Sequence, residues 1–285
     1  MERPAGLRRR EFLALLATPS MVAADAGPLR FGHRQANMVT EPGPAVFDLA
    51  RQIHGLGAVE LQVYFKATTL CDKDIWPAYL RASERAGLPI PSIAGIWPPG
   101  GGLMQAGAEE HILNSITAAK NLKSSTILIA TFEQNCPDMD NERSYGPIVA
   151  LLQKVAPAAR DAGVTLSMET SNTPAQDKKL VDLVDRPNVR VYYDLFNVEH
   201  YQHRGQAVPG VKLLGQRIRQ VHLKNEDRLL EQPGPVDWAA AVKNLAKIHY
   251  SGWFVFETSH TGPTQCIEAT EKNIEFVSRT FVQSR

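Results

Sequence analysis

Four residues far apart in the chain carry the side chains best suited to chemistry: Glu169, Asp194, His222 and Glu257. Each lies at or next to the end of a short apolar run: VTLSMET holds Glu169, VRVYYD ends at Asp194 and FVFET holds Glu257. His222 belongs to IRQVHLKNEDR, in which Ile218, Val221 and Leu223 suit a buried strand and Lys224 to Arg228 suit the loop after it. Three carboxylates and an imidazole at strand ends make a metal site if the fold gathers those ends. Without a cation the three negative charges would repel one another; a divalent ion relieves them. Hard oxygen donors with one imidazole favour Mn²⁺ or Mg²⁺, with Co²⁺ or Zn²⁺ able to compete, and the lack of a thiolate disfavours copper and structural zinc.

The elements that would position this quartet follow from periodicity. Apolar runs at 29–31, 58–63, 90–96, 126–131, 164–169, 189–194, 218–223 and 253–257 read as strands. Between and after them, helical spacing appears at 44–56, 74–86, 107–122, 145–162, 176–184, 211–216, 236–248 and 266–281. Strands separated by helices run parallel, and eight strand-then-helix units in roughly 250 residues fit a single (β/α)8 TIM barrel of class α/β, placed at 27–285. An open doubly wound sheet is the rival, but no glycine-rich dinucleotide fingerprint follows the first strand. In a barrel all strand C-termini share one face, so the quartet converges there.

Composition sets the outer limits. The chain has 285 residues, 44% hydrophobic and 21% charged, enough for one large core. Its first 26 residues, MERPAGLRRREFLALLATPSMVAADA, match a twin-arginine export signal: Arg9, Arg10, Phe12 and Leu13 give R-R-x-F-L, and Ala24-Asp25-Ala26 gives a small-residue cleavage site. Export to the periplasm by the twin-arginine pathway is therefore expected. Removing that segment leaves 27 basic and 27 acidic residues. No basic stripe remains to support nucleic-acid or membrane-surface binding. Cys71, Cys136 and Cys266 are too scattered for a disulfide framework or zinc knuckle, so free buried thiols are expected. Homo-oligomerisation is left open.

Residues 29–285 also resemble the xylose isomerase-like TIM barrels, the superfamily of AP endonuclease family 2. It includes ketose 3-epimerases, hydroxypyruvate isomerases and inosose dehydratases. SMETSN, YYDLFN, QVHLKNEDR with the following PGPVDW, and GWFVFET carry the resemblance. It implies that Glu169, Asp194, His222 and Glu257 bind one divalent metal, that the two glutamates double as acid and base, and that Arg228 contacts substrate. One departure concerns Asn197, where such epimerases carry histidine; asparagine hydrogen-bonds a hydroxyl but does not shuttle a proton at neutral pH. AP endonucleases need further histidines that this chain lacks, which argues against nucleic-acid chemistry.

The chemistry so implied is proton removal beside a carbonyl of a non-phosphorylated sugar or keto-polyol, through an enediolate stabilised by the metal. Return of the proton to the other face epimerises the carbon, return to the neighbouring carbon isomerises the sugar, and loss of a β-hydroxyl makes the protein a lyase or dehydratase. A non-catalytic exported sugar-binding protein is the reading from another class. Lys224 shares the His222 side of its strand and is expected near substrate or metal. His33 at the end of strand one and Trp97 before PPGGG are expected to contact substrate, the latter on a lid. Glu60 is read as a buried barrel hydrogen bond. His260 lies on the active face, and Glu199, His200 and His203 are read as a polar loop.

Overall fold

The computed structural model describes residues 29–284. The export signal expected at 1–26 lies outside the described residues. Eight parallel strands close a barrel: β1 (Arg30–Arg34), β2 (Ala58–Gln62), β3 (Ile93–Ala94), β4 (Thr126–Thr131), β5 (Thr165–Thr170), β6 (Val189–Asp194), β7 (Ile218–Leu223) and β8 (Trp253–Phe256). Each strand hydrogen-bonds its sequence neighbour, and β8 closes on β1 through Arg30 to His33 paired with Trp253 to Phe256.

Helices follow the strands on the outside, as the periodicity requires. Trp76–Ala86 begins with Pro77 in its first turn and stops at Gly87, whose φ of 70° is the left-handed conformation favoured in a helix C-cap. Pro174–Val184 starts with a capping box in which Thr173 and Gln176 satisfy each other's backbone N–H groups. Asp237 caps Trp238–Lys247 by accepting from the Ala240 N–H.

Strand alternation sorts the core into two layers. Phe31, Leu61, Ile129, Met168, Val221 and Phe256 face outward and pack with the helices in the main core. Ala94, Leu128, Tyr192 and Val255 form a smaller cluster that fills the barrel. Burying such side chains is worth roughly 1.5–3 kcal/mol each for the larger aliphatics, and both faces of every strand contribute.

Some elements differ from the sequence reading. The third strand is only Ile93–Ala94, because Pro89 and Pro91 have no N–H to give to a ladder. The first outer helix shortens to Val46–Ala50, with turns after it and Gly55 at φ 82°. Two further short helices, Gln35–Met38 and Leu195–His200, and a hairpin of Tyr64–Phe65 with Thr68–Thr69, were not expected. No described helix is long and apolar enough to cross a membrane. All three cysteines are free thiols.

Candidate metal centre and active site

The phase of β7 decides what the barrel mouth contains. Val221 and Leu223 are outward core residues, so Gln220, His222 and Lys224 point inward. By the same alternation Tyr193 packs outward and Tyr192 and Asp194 point in. Glu169 follows outward Met168, and Glu257 follows outward Phe256. One ligand atom from each of Glu169, Asp194, His222 and Glu257 lies within 4.8 Å of the other three. The four residues expected at strand ends are therefore one cluster, supplied by β5, β6, β7 and the residue after β8.

His222 is its hub. Its Nδ1 is 3.0 Å from Oε1 of Glu169, 3.6 Å from Oε2 of Glu257 and 3.8 Å from Oδ2 of Asp194. Its Nε2 faces the other way, 3.2 Å from Oε1 of the fully buried Glu60. The Glu60 Oε2 accepts from the hydroxyls of Ser92 at 2.6 Å and Tyr192 at 2.7 Å, and Gln220 donates to Ser92 at 3.0 Å. The Tyr192 ring lies against the imidazole at 4.3 Å between centroids. A carboxylate behind a histidine fixes the ring and its tautomer, leaving Nδ1 to face the cluster. Glu60 is thus the buried hydrogen-bonding residue read from the sequence, with His222 as its object.

The carboxylates are held so that oxygens remain available. Asp194 caps the helix Leu195–His200: its Oδ1 accepts the Asn197 N–H at 2.9 Å. Its Oδ2 is buried and ion-paired with Nζ of Lys224 at 2.7 Å. That same ammonium donates to Oε2 of Glu257 at 2.7 Å. Glu257 Oε1 is ion-paired with Arg34, which also donates to Oε1 of Gln62 at 3.0 Å. Asn197 Nδ2 donates to Oε1 of Glu169 at 3.3 Å.

The electrostatics express an excess of negative charge. Burial pulls the His222 imidazole down, but the neighbouring Glu169 and Glu60 outweigh it and raise its pKa to about 9. Burial pushes Glu169 up, yet His222, Lys224 and Arg34 together hold it below the ordinary carboxylate value. Glu60 is lowered against its burial, chiefly by His222. Asp194 stays raised because burial outweighs the nearby Lys224, and the Glu169 charge adds to the effect.

These residues fit a divalent ion. Three carboxylates and one imidazole share one point, and the Lys224 ammonium stands between a buried Asp194 oxygen and Glu257 as a built-in counter-charge.

The other residues singled out from the sequence are placed differently from one another. Asn197 and Lys224 join the cluster directly. Trp97 is half-buried, with its indole N–H donated to the Ala130 carbonyl on β4 at 2.7 Å, so it is pinned to the barrel and not carried on a free lid. Arg228 is exposed, pairs with Glu226 at 2.6 Å and donates to the Pro233 carbonyl at 2.8 Å; it touches none of the four ligands. His33 does not enter the mouth at all. It follows outward Phe31 by two positions, is buried against Phe256, and contacts His260 and Thr258. Glu199 is used by the N–H groups of Gly205 and Ala207, and His203 by the Ser171 carbonyl.

Arg34 was missed, although it is the β1 residue that reaches the site. The signal was present in the pattern R-F-G-H-R: with Phe31 outward, Gly32 and Arg34 face in.

A family profile described as xylose isomerase-like TIM barrel matches residues 47–280. An L-ribulose 3-epimerase from Methylomonas sp. (strain DH-1) is 29% identical over 118 residues, a match spanning 39% of this chain and 41% of that protein. Among solved structures, an L-ribulose 3-epimerase superposes with TM-score 0.73 at 19% identity, covering 90% of this chain and 96% of that one. A D-allulose 3-epimerase from Methylomonas sp. in complex with D-allulose gives 0.72 at 18%, covering 88% and 97%. A 3-keto-D-glucoside 4-epimerase from E. coli gives 0.71 at 15%, covering 89% and 100%. At these identities the structures establish the shared barrel.

Proposed function

Because this chain belongs to the xylose isomerase-like TIM barrel family, we propose that it is a divalent-metal-dependent sugar epimerase acting on a non-phosphorylated ketose. The observation that carries this reading is the convergence of Glu169, Asp194, His222 and Glu257 on one point of the barrel mouth. Glu169, Asp194, His222 and Glu257 would hold one ion, Mn²⁺ or Mg²⁺ before Co²⁺ or Zn²⁺ from the oxygen-rich donor set. When bound, such an ion supplies Lewis-acid polarisation of a carbonyl, which acidifies the neighbouring C–H.

The protein's own groups do the rest. Glu169 and Glu257 approach from β5 and from the end of β8, with β6 and β7 between them, so they flank a ligand lying over His222. The bonds from Asn197 and His222 both fall on Oε1 of Glu169, so its other oxygen serves the proton. One carboxylate removes the proton beside the carbonyl and the other delivers one to the opposite face, inverting that carbon. Such positioned acid-base help is worth about 10² to 10⁴ in rate. Asn197 donates at the Glu169 side, while Lys224 and Arg34 present cationic donors beside Glu257 for the sugar's oxygens.

Export through the twin-arginine signal read at 1–26 would place the protein where sugars are not phosphorylated; Arg9→Lys with Arg10→Lys should then retain it in the cytoplasm. The proposal is tested by incubating the metal-loaded protein with D-allulose, L-ribulose, D-fructose and D-tagatose in heavy water. Inverted product with deuterium at the carbon beside the carbonyl is expected. A dehydrated product would move the activity to a lyase, and binding without exchange would make it a sugar-binding protein.

A further inference from the structure

A second set of metal-ligating side chains meets outside the barrel wall. His33 comes from β1, His260 from the loop after β8, and Cys266 from the first turn of the helix Pro263–Val282. Their ligand atoms lie within 4.8 Å of one another. Nε2 of His33 and Nε2 of His260 are 3.2 Å apart. Two nitrogens bound tetrahedrally at about 2.0–2.1 Å from a zinc ion stand roughly 3.3 Å apart, so the pair is already at ligand spacing. The Thr258 hydroxyl faces the same point, 3.0 Å from the His260 Nε2 and 3.5 Å from the His33 Nε2.

The surroundings suit a bound ion. His33 Nδ1 is 3.2 Å from the carbonyl of Arg34, a contact that places the ring proton on Nδ1 and leaves Nε2 as the donor atom for a metal. His33 and Cys266 are buried, whereas His260 is half-buried and lines a groove between residues 36–46 and 259–263. An ion can enter by that groove, and a solvent molecule can complete its shell.

We propose that His33, His260 and Cys266 form a second metal site, of the zinc type, on the outer face of the barrel. Two imidazoles and a thiol are a softer set than the carboxylates in the mouth and select Zn²⁺ over Mn²⁺ or Mg²⁺. Thr258 or water from the groove completes a tetrahedron. On binding, the Cys266 thiol loses its proton to solvent and a zinc–sulfur bond forms; no electron is transferred. The ion ties the segment after Glu257 to β1 and so fixes the loop that begins at one carboxylate of the mouth.

Co²⁺ titration of the chelated full chain tests the site, because a thiolate bound to Co²⁺ gives a near-ultraviolet charge-transfer band that an oxygen-rich site does not. Wild type should take two equivalents and show the band; Asp194→Asn should take one equivalent and keep it. Cys266→Ser should take one and lose it, and Zn²⁺ should bleach it in wild type. His260→Ala, a change at a half-buried loop position, should lose the band as well while far-ultraviolet circular dichroism shows the fold intact. A wild type without the band, or a band that survives Cys266→Ser or His260→Ala, overturns the assignment whatever happens in the mouth.

Discussion

Nζ of Lys224 lies 2.7 Å from Oδ2 of Asp194, inside a ring of carboxylates where a cation is wanted. It also lies 2.7 Å from Oε2 of Glu257, so one ammonium bridges two of the three acidic ligands and offsets one of their charges. A divalent ion must compete with it. Lys224→Met removes the competitor, and the divalent dissociation constant should fall by about tenfold, a change of about 1.4 kcal/mol. Isothermal titration with Mn²⁺ measures this; weaker binding in Lys224→Met would show that the ammonium supports the ion instead.

Glu60 sets the orientation of His222 from below, through a 3.2 Å contact to Nε2. Glu60→Gln keeps the shape and loses the charge that favours a Nε2 proton. Affinity for the divalent ion should drop about 10- to 100-fold with the fold retained. Equilibrium dialysis checks it, and unchanged affinity would make Glu60 a barrel filler.

The pH dependence follows from His222. Its folded-state pKa of about 9 lies above the ordinary 6.5. In the metal-free protein its contribution to stability is therefore complete below pH 6.5 and lost as pH rises through about 9. Ligation needs the neutral ring, so ion affinity should strengthen across the same window with release of a proton. Urea midpoints of the chelated protein should decline from about pH 6.5 to 9, and His222→Gln should flatten that decline.

Arg34 should matter for substrate and not for the ion. Its guanidinium pairs with Glu257 and donates to Gln62, at the edge of the cluster. Loss of one charge-assisted contact is worth about 1.5–3 kcal/mol, so Arg34→Gln should lower kcat/KM by about 10- to 100-fold. Metal stoichiometry should stay unchanged. His33→Gln, on the outer face, should leave kcat/KM closer to wild type than Arg34→Gln does.

The contrast between these neighbours shows what the sequence could reveal. Glu169, Asp194, His222 and Glu257 were legible because each lies at or next to the end of a strand whose apolar residues declare its inward face. In β1 the apolar signal is a single Phe31, too little to tell from sequence that His33 faces outward and Arg34 inward. The barrel itself was legible from eight alternating units, but β3 was overestimated because apolar side chains at 90–96 say nothing of the N–H groups that Pro89 and Pro91 lack. Arg228 stands in a family motif, but a motif does not say where a guanidinium turns, and this one pairs with Glu226 and donates to the Pro233 carbonyl. The helix Leu195–His200 is too short for periodicity to announce, yet it holds Asn197 against Glu169.

The proton-transfer role of Glu169 and Glu257 is tested most directly by solvent exchange at the carbon beside the carbonyl, followed by nuclear magnetic resonance in heavy water with D-allulose or L-ribulose and Mn²⁺. Wild-type protein should incorporate deuterium, while Glu169→Gln and Glu257→Gln, both folded and able to bind the ion, should each lose exchange by at least about 10²-fold. Undiminished exchange in both variants would contradict the assignment of these two carboxylates.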